Sequence, residues 1–379
     1  MDNFMRNICW VILFVLISGG ASAQGLPQDV AEAYRAYETA VDGEDWAAAA
    51  YQAERAWRAA AAGDVDDATT TVLAANYGEV ALINGNNAAA AEAYERAYDL
   101  ASADADFELL GTYRVFAARA RRMNGDFQLA ISHAGEAIEL FQLLPDGEAK
   151  YGGQYQANVV AAYASNAINR NRRAGRYAEN ALLSMSYFGP VSSPDVAQIA
   201  FLAGALLNQQ GDRANALYYL LVSRISSSEF EMDTEFRETT YRLQGVVMQA
   251  TNPNDFDGVY DRLRASGYVP PRCFYFNSCP ETEELDPDIE YDAVPLLRTP
   301  PQYPEAAASR GQEGFVDVRF TVNAEGRVED VEVANSTSSL FTRSALTAVR
   351  HWRYWPRREN GVDVPREGVQ TRLDFSFED

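Results

Sequence analysis

The sequence predicts a multidomain chain: an all-α solenoid of helix pairs, then a small α+β domain built on a three-stranded antiparallel sheet. Three observations predict it. Residues 26–265 carry Ala at three- and four-residue spacing, and short Gly-Asp or Gly-Asn turns recur through them. Apolar and polar residues alternate over 315–322 and again over 369–377. Between these blocks, a Pro-rich and acidic stretch at 266–298 breaks the helical periodicity. With 379 residues and a hydrophobic fraction of 47%, the chain can fill more than one packed core.

Residues 1–23 read as a secretory signal peptide. Arg6 supplies a short positive region, residues 8–17 are apolar, and Ala21 and Ala23 fit an A-x-A processing site. The mature chain is then expected to start at Gln24 and to be periplasmic. An uncleaved anchor in the inner membrane, facing the periplasm, is the alternative. Against it, residues 8–23 span roughly 24 Å as a helix, short of a hydrocarbon core of about 30 Å.

The formal charge of −22 sets the chain against nucleic acids and anionic lipid surfaces, whose phosphates need Lys and Arg in place of their counterions. No nucleic-acid partner is expected. From Thr299 onward ten Arg stand against thirteen Asp and Glu, so the acidity belongs mainly to the helices and the connector.

The helical block repeats itself. Gly85, Asn86 and Asn87 with Ala90, Tyr94 and Ala97 recur as Gly125, Asp126 and Phe127 with Ala130, Ala134 and Ala137. Weaker copies start at Gly43, Gly175 and Gly211. Gly closes one helix in a left-handed cap, Asp or Asn starts the next, and small Ala lets the two pack closely. This pattern resembles the tetratricopeptide repeat. The glycines lie 42, 40, 50 and 36 residues apart, against a norm of about 34, so insertions or longer helices are expected. Most of the aromatics Tyr34, Tyr37, Tyr51, Trp57, Tyr77, Tyr94, Tyr98, Tyr113, Phe116, Tyr155 and Tyr163 are expected in the core. A few are candidates to line a groove that holds a second protein or peptide. The basic run at 170–173 reads as a solvated turn, or as a contact for an acidic partner.

The connector at 266–298 holds Cys273 and Cys279. In an exported chain such a pair reads first as a disulfide, worth roughly 2 kcal/mol, and otherwise as two free thiols. Neither His133 nor His351 lies near the pair, so no metal site is expected there.

In the tail at 299–379, Val316, Val318, Phe320 and Val322 share one strand face, while Asp317, Arg319 and Thr321 share the other. Gly326 suits a hairpin end and Ser339 an N-cap. Phe341, Ala345, Ala348, Val349 and Trp352 form one helical face that can cover the sheet. Val369, Thr371, Leu373, Phe375 and Phe377 supply a third strand. Three strands cannot close a barrel, so at least one sheet edge keeps unpaired N–H and C=O groups. Arg350, Arg353, Arg357 and Arg358 cluster at the helix end, where positive charge favours the helix dipole and could also meet acidic partner surfaces.

The order of these features resembles the C-terminal domain of the TonB family of envelope energy transducers. It runs from Pro301, Gln302, Tyr303 and Pro304 through Arg310-Gly311, the hairpin and the helix to Trp352, then Arg353-Tyr354-Trp355-Pro356 and the last strand. The resemblance implies that an extended segment of a partner, such as a TonB-dependent outer-membrane transporter or another envelope protein, adds to the final strand beside the Tyr-Pro motif. Carried over by motif, the partner-binding residues are Gln302, Tyr303, Pro304, Val369, Thr371, Leu373, Phe375 and Phe377. The family's inner-membrane helix carries a His, and residues 8–23 have none.

Three readings follow. One is a periplasmic adaptor that grips one partner by strand addition and another on its helices. A second is a membrane-anchored transducer driving transport across the outer membrane. A third is an envelope assembly chaperone or scaffold. An enzyme is not expected: no phosphate loop, metal-ligand spacing or Gly-x-Ser-x-Gly elbow appears, and thus no catalytic residue, metal or cofactor.

Overall fold

The computed structural model describes residues 26–101, 106–189, 191–230, 232–268 and 290–377. Residues 1–23, read above as a signal peptide, and the Cys273–Cys279 pair lie outside them. The chain divides into two compact units between Phe188 and Gly189.

The first unit is a run of helices: α1 (Gln28–Asp42), α2 (Trp46–Ala62), α3 (Asp67–Ile83), α4 (Asn87–Leu100), α5 (Phe107–Asn124), α6 (Phe127–Gln142), α7 (Glu148–Ala167) and α8 (Asn171–Met185). Each packs on its sequence neighbour. The second helix of each pair presents Ala to that contact: Ala49, Ala53 and Ala56 on α2, Ala90 and Ala97 on α4, Ala130, Ala134 and Ala137 on α6, all buried. Aromatic rings fill the wider gaps between successive pairs. Trp57 stacks on Tyr77 at 5.4 Å and Tyr94 on Phe116 at 5.1 Å. Tyr37, Tyr113 and Tyr155 are also buried, whereas Tyr51 is 61% exposed.

The turns give the repeat its true period. The left-handed residue is Glu44 (φ 54°), Gly85 (73°), Gly125 (88°), Asn169 (57°) and Gly211 (85°). These stand 41, 40, 44 and 42 residues apart. Gly43 has φ −85°, and Gly175 lies buried inside α8. Glycine therefore marks three of the five turns; Asn169 tolerates the left-handed well through its short polar side chain, and Glu44 occupies it at some strain. After the turn, Asp45 accepts a hydrogen bond from Ala48 N at 3.0 Å and Asn86 one from Ala89 N at 3.4 Å. Arg170 holds the equivalent place on α8 without a side-chain cap.

The second unit begins with α9 (Pro194–Gln209), α10 (Arg213–Glu229), α11 (Thr234–Ala250) and α12 (Phe256–Ala265). It continues with β1 (Val294–Leu297), the short α13 (Glu305–Ala308), β2 (Gly314–Val322), β3 (Val328–Ser336) and α14 (Ser339–Arg350). β4 (Arg353–Trp355), β5 (Arg357–Glu359), β6 (Val362–Val364) and β7 (Arg366–Phe375) complete it. The main sheet is antiparallel in the order β3-β2-β7; β1 pairs with β4 and β5 with β6. Val316, Val318, Phe320 and Val322 line its inner face and Phe341, Ala345, Ala348 and Val349 of α14 cover it, all of them buried.

Three details differ from expectation. The N-cap of α14 is Ser338, whose hydroxyl accepts from Leu340 N at 3.3 Å, and Ser339 is the first helical residue. The last strand ends at Phe375, leaving Phe377 beyond it. Residues 353–355 extend as a buried strand against β1, which falls inside the stretch read as connector.

Two outcomes test this packing. Phe141 lies between Gly111 and Gly153, and a Cβ at Gly153 would come within 2.3 Å of its ring. Gly153→Ala should destabilise the helical unit by about 1–3 kcal/mol in denaturant titration, since an overpacked core must shift ring or backbone. Burial pushes the carboxyl of Glu79 up to about 7. A carboxylic acid whose folded value is raised holds its proton while the unfolded chain releases it, so its contribution to stability is lost as pH rises from about 4.5 through about 7. Glu79→Gln should stabilise at pH 8 by roughly 1–3 kcal/mol, with the gain vanishing toward pH 4, as read by unfolding at both pH values.

Candidate partner-binding edge

β2 is the central strand, so its neighbours β3 and β7 each keep one outer rim. The two rims differ. On the β3 side the register slips twice, between Asp317 and Val318 and between Arg319 and Thr321. Asp330 there has φ 52°, and Glu329, Asp330 and Glu332 are exposed along the strand. On the β7 side pairing is unbroken from Gly314↔Phe375 to Phe320↔Val369, with one irregularity below it where Gly368 has φ 69°.

The direction of the β7 main chain follows from β2. Phe315 O accepts from Thr337 N at 3.1 Å, and Phe315 N donates to Thr337 Oγ1 at 2.9 Å. Phe315 thus faces the β3 side, and its opposite number Asp374 is not hydrogen-bonded to β2. Antiparallel alternation then turns the N–H and C=O of Gln370, Arg372 and Asp374 outward, and those of Val369, Thr371 and Leu373 inward. Among the described residues, no main-chain group outside β2 bonds to this strand.

Side chains sort by the same alternation. Leu373 and Phe375 are buried in the core, and Val369 packs partly against it. Phe375 stacks on Phe341 at 4.5 Å. Tyr303 meets Phe375 edge-on at 5.8 Å, stacks on Phe377 at 4.9 Å, and donates its hydroxyl to Gln312 O at 2.7 Å. Pro304 O accepts from Ala307 N and Ala308 N and so opens α13. Gln302 is exposed, and its carbonyl accepts from the Ser344 hydroxyl. Thr371 Oγ1 takes a bond of 3.0 Å from Arg298, whose guanidinium lies 4.3 Å over the Trp352 ring. On the outer face Arg372 forms a two-pronged pair with Asp317 at 2.7 and 2.9 Å and covers the Phe315 ring at 3.8 Å. That hydrogen bond holds the Asp317 carboxyl below the usual carboxylate range.

The structure therefore brings Tyr303, Phe375 and Phe377 into one aromatic cluster at the end of β7. It sets Val369, Thr371 and Leu373 along the strand with their main-chain groups turned to β2, and it places Gln302 and Pro304 in the segment that leads into α13. The outward-turned main chain belongs to Gln370, Arg372 and Asp374, and Arg298 lies beside the strand; none of the four is among the residues named from the sequence. The arginines expected to cluster at the helix end mostly have internal partners: Arg353 with Asp257, Arg357 with Glu359, Arg358 with Asp363. No group of three His, Cys, Asp or Glu suited to a metal occurs among the described residues, nor is any helix there long and apolar enough to cross a membrane.

Residues 299–377 match the family model described as Gram-negative bacterial TonB protein C-terminal. Protein TonB of Pseudomonas aeruginosa is 40% identical over 80 residues, covering 21% of this chain and 23% of that protein. Protein TonB of Escherichia coli is 40% identical over 83 residues, covering 22% and 32%. The solution NMR structure of the Pseudomonas aeruginosa TonB CTD is 38% identical and covers 23% of this chain and 89% of that one, with a TM-score of 0.21. The chain thus spans about a quarter to a third of the length of these curated relatives. Its last part is a TonB-type C-terminal domain, preceded in the sequence by a run of helix pairs.

Tyr303→Phe should lower the midpoint of thermal unfolding of this domain through loss of the Gln312 bond. Arg372→Ala, at an exposed and solvent-screened ion pair, should shift it less than Tyr303→Phe does. Thermal unfolding of both variants checks the contrast.

Proposed function

We propose that this is a non-enzymatic, periplasm-facing envelope protein that grips extended segments of partner proteins by strand addition. The partners that fit best are TonB-dependent outer-membrane transporters, and the helix pairs form a scaffold for a second protein or peptide. The observation that carries the reading is the continuous outer rim of β7, without a main-chain partner among the described residues, in a TonB-type domain. An incoming strand bonds to Gln370, Arg372 and Asp374, and main-chain bonds supply affinity whatever the partner's sequence. Choice of partner comes from side chains flanking the rim: Arg298 and the Tyr303–Phe377 stack on the core side, and Arg372 with Asp374 on the outer side. Gln302, Tyr303 and Pro304 anchor the lead-in segment. Export by a cleaved signal at 1–23 and a Cys273–Cys279 disulfide belong to the same reading.

The test uses the chain from Gln24 onward and a peptide from a transporter's periplasmic end. Methylating every second peptide amide in one phase removes the donors that face β7; in the other phase it removes none. The first set should weaken binding about fivefold per lost bond, at about 1 kcal/mol each, and the second should leave it unchanged in calorimetry. Equal affinities for both sets would refute strand addition.

A further inference from the structure

We infer that α12 is a built-in clasp of the TonB-type domain, so that the domain and its neighbouring helices act as one rigid piece without relying on the chain that links them. Sequence reading assigns residues 256–265 to the helical array. In the structure this helix grips three separate parts of the tail.

At the centre is Arg353, only 5% exposed. Its guanidinium gives two hydrogen bonds to Asp257 Oδ1, at 2.9 and 2.7 Å, and others to the carbonyls of Arg350 and Trp352, at 3.2 and 2.7 Å. Arg327, after the β2–β3 turn, reaches the same Asp257 oxygen at 3.2 Å and Asp261 at 3.0 Å. Burial pushes the Asp257 carboxyl up, yet hydrogen bonds from Arg353 and Arg327 outweigh it and hold the group below its ordinary value. Tyr260, 1% exposed, donates its hydroxyl to Tyr354 O at 2.8 Å. Arg264 pairs with Asp363 of β6 at 2.8 Å, and Asp363 in turn holds Arg358 of β5 at 2.9 Å.

The fit at the turn is close. Gly326 has φ 78°, and a Cβ there would meet Tyr260 Oη at 2.0 Å and Tyr354 O at 2.1 Å. Backbone, buried phenol and strand occupy one space that no larger residue leaves free. A guanidinium this deeply buried needs its carboxylate; without it an uncompensated charge stays in the interior. Asp257 on α12 is that carboxylate. On its far side α12 packs on α10, where Arg262 bonds Asn215 Oδ1 at 2.7 Å and Tyr219 Oη at 3.0 Å. The grip is therefore continuous from α10 through α12 to β4, and a strand captured on β7 is held by the helices through this joint.

A protease site placed in residues 281–289, beyond both cysteines, of the chain starting at Gln24 tests the inference. After complete cutting, the two fragments should co-elute on size exclusion at micromolar concentration. The isosteric pair Asp257→Asn and Tyr260→Phe should weaken their association by about tenfold or more, while the uncut double variant keeps the circular dichroism of the parent. Separation of the cut parent fragments would overturn the clasp. So would equal association of parent and double-variant fragments, because the joint would then not run through these residues. Neither result bears on whether β7 takes a peptide, which the methylated peptides decide on uncut protein.

Discussion

The pairing of β2 with β7 is the constraint on which the tail depends. Its register sets Leu373 and Phe375 against Phe341 and completes the core beneath α14. The same register fixes which amides β7 keeps for itself and which it offers. A slip of one residue would turn Leu373 and Phe375 to solvent and reverse the sense of every main-chain group, so core and rim are specified together. Phe315 locks this arrangement from the other side through its bonds to Thr337.

Much of the tail was legible because alternation is a local signal. Val316 to Val322 and Leu373 to Phe375 declare their buried face by period alone, and the hydrophobic stripe of α14 does so by helical spacing. The rim residues were not legible in the same way. Side chains and main-chain groups of a strand both alternate with period two, so sequence shows that one set faces inward but not on which side β2 lies. Choosing Val369, Thr371 and Leu373 captured the core side of the strand; Gln370, Arg372 and Asp374 required the observed register. β1 and β4 escaped for another reason. Each is too short to show a period, and Arg353 reads as a surface charge until Asp257 is found beside it.

In the helices the repeat was legible and its spacing was not. Reading glycine as the turn marker gave irregular intervals, because Gly43 and Gly175 are not the left-handed residues. What recurs is a backbone conformation, which Glu44 and Asn169 also adopt. Once the turns are aligned on that conformation, the helix pairs are nearly uniform in length. The longer period comes from the helices, which run to 20 residues in α7.

The slipped register and acidic side chains of β3 carry a consequence of their own. A sheet with two equally receptive margins is divalent: it can take a neighbour on each flank, and identical molecules could then stack into an endless ribbon. Here bulges and repelling carboxylates blunt one flank, while the register along the other is unbroken from Val369 to Phe375. Under the strand addition proposed above, such a molecule would end whatever ladder it joins, and crowded copies would form one-to-one complexes instead of fibres.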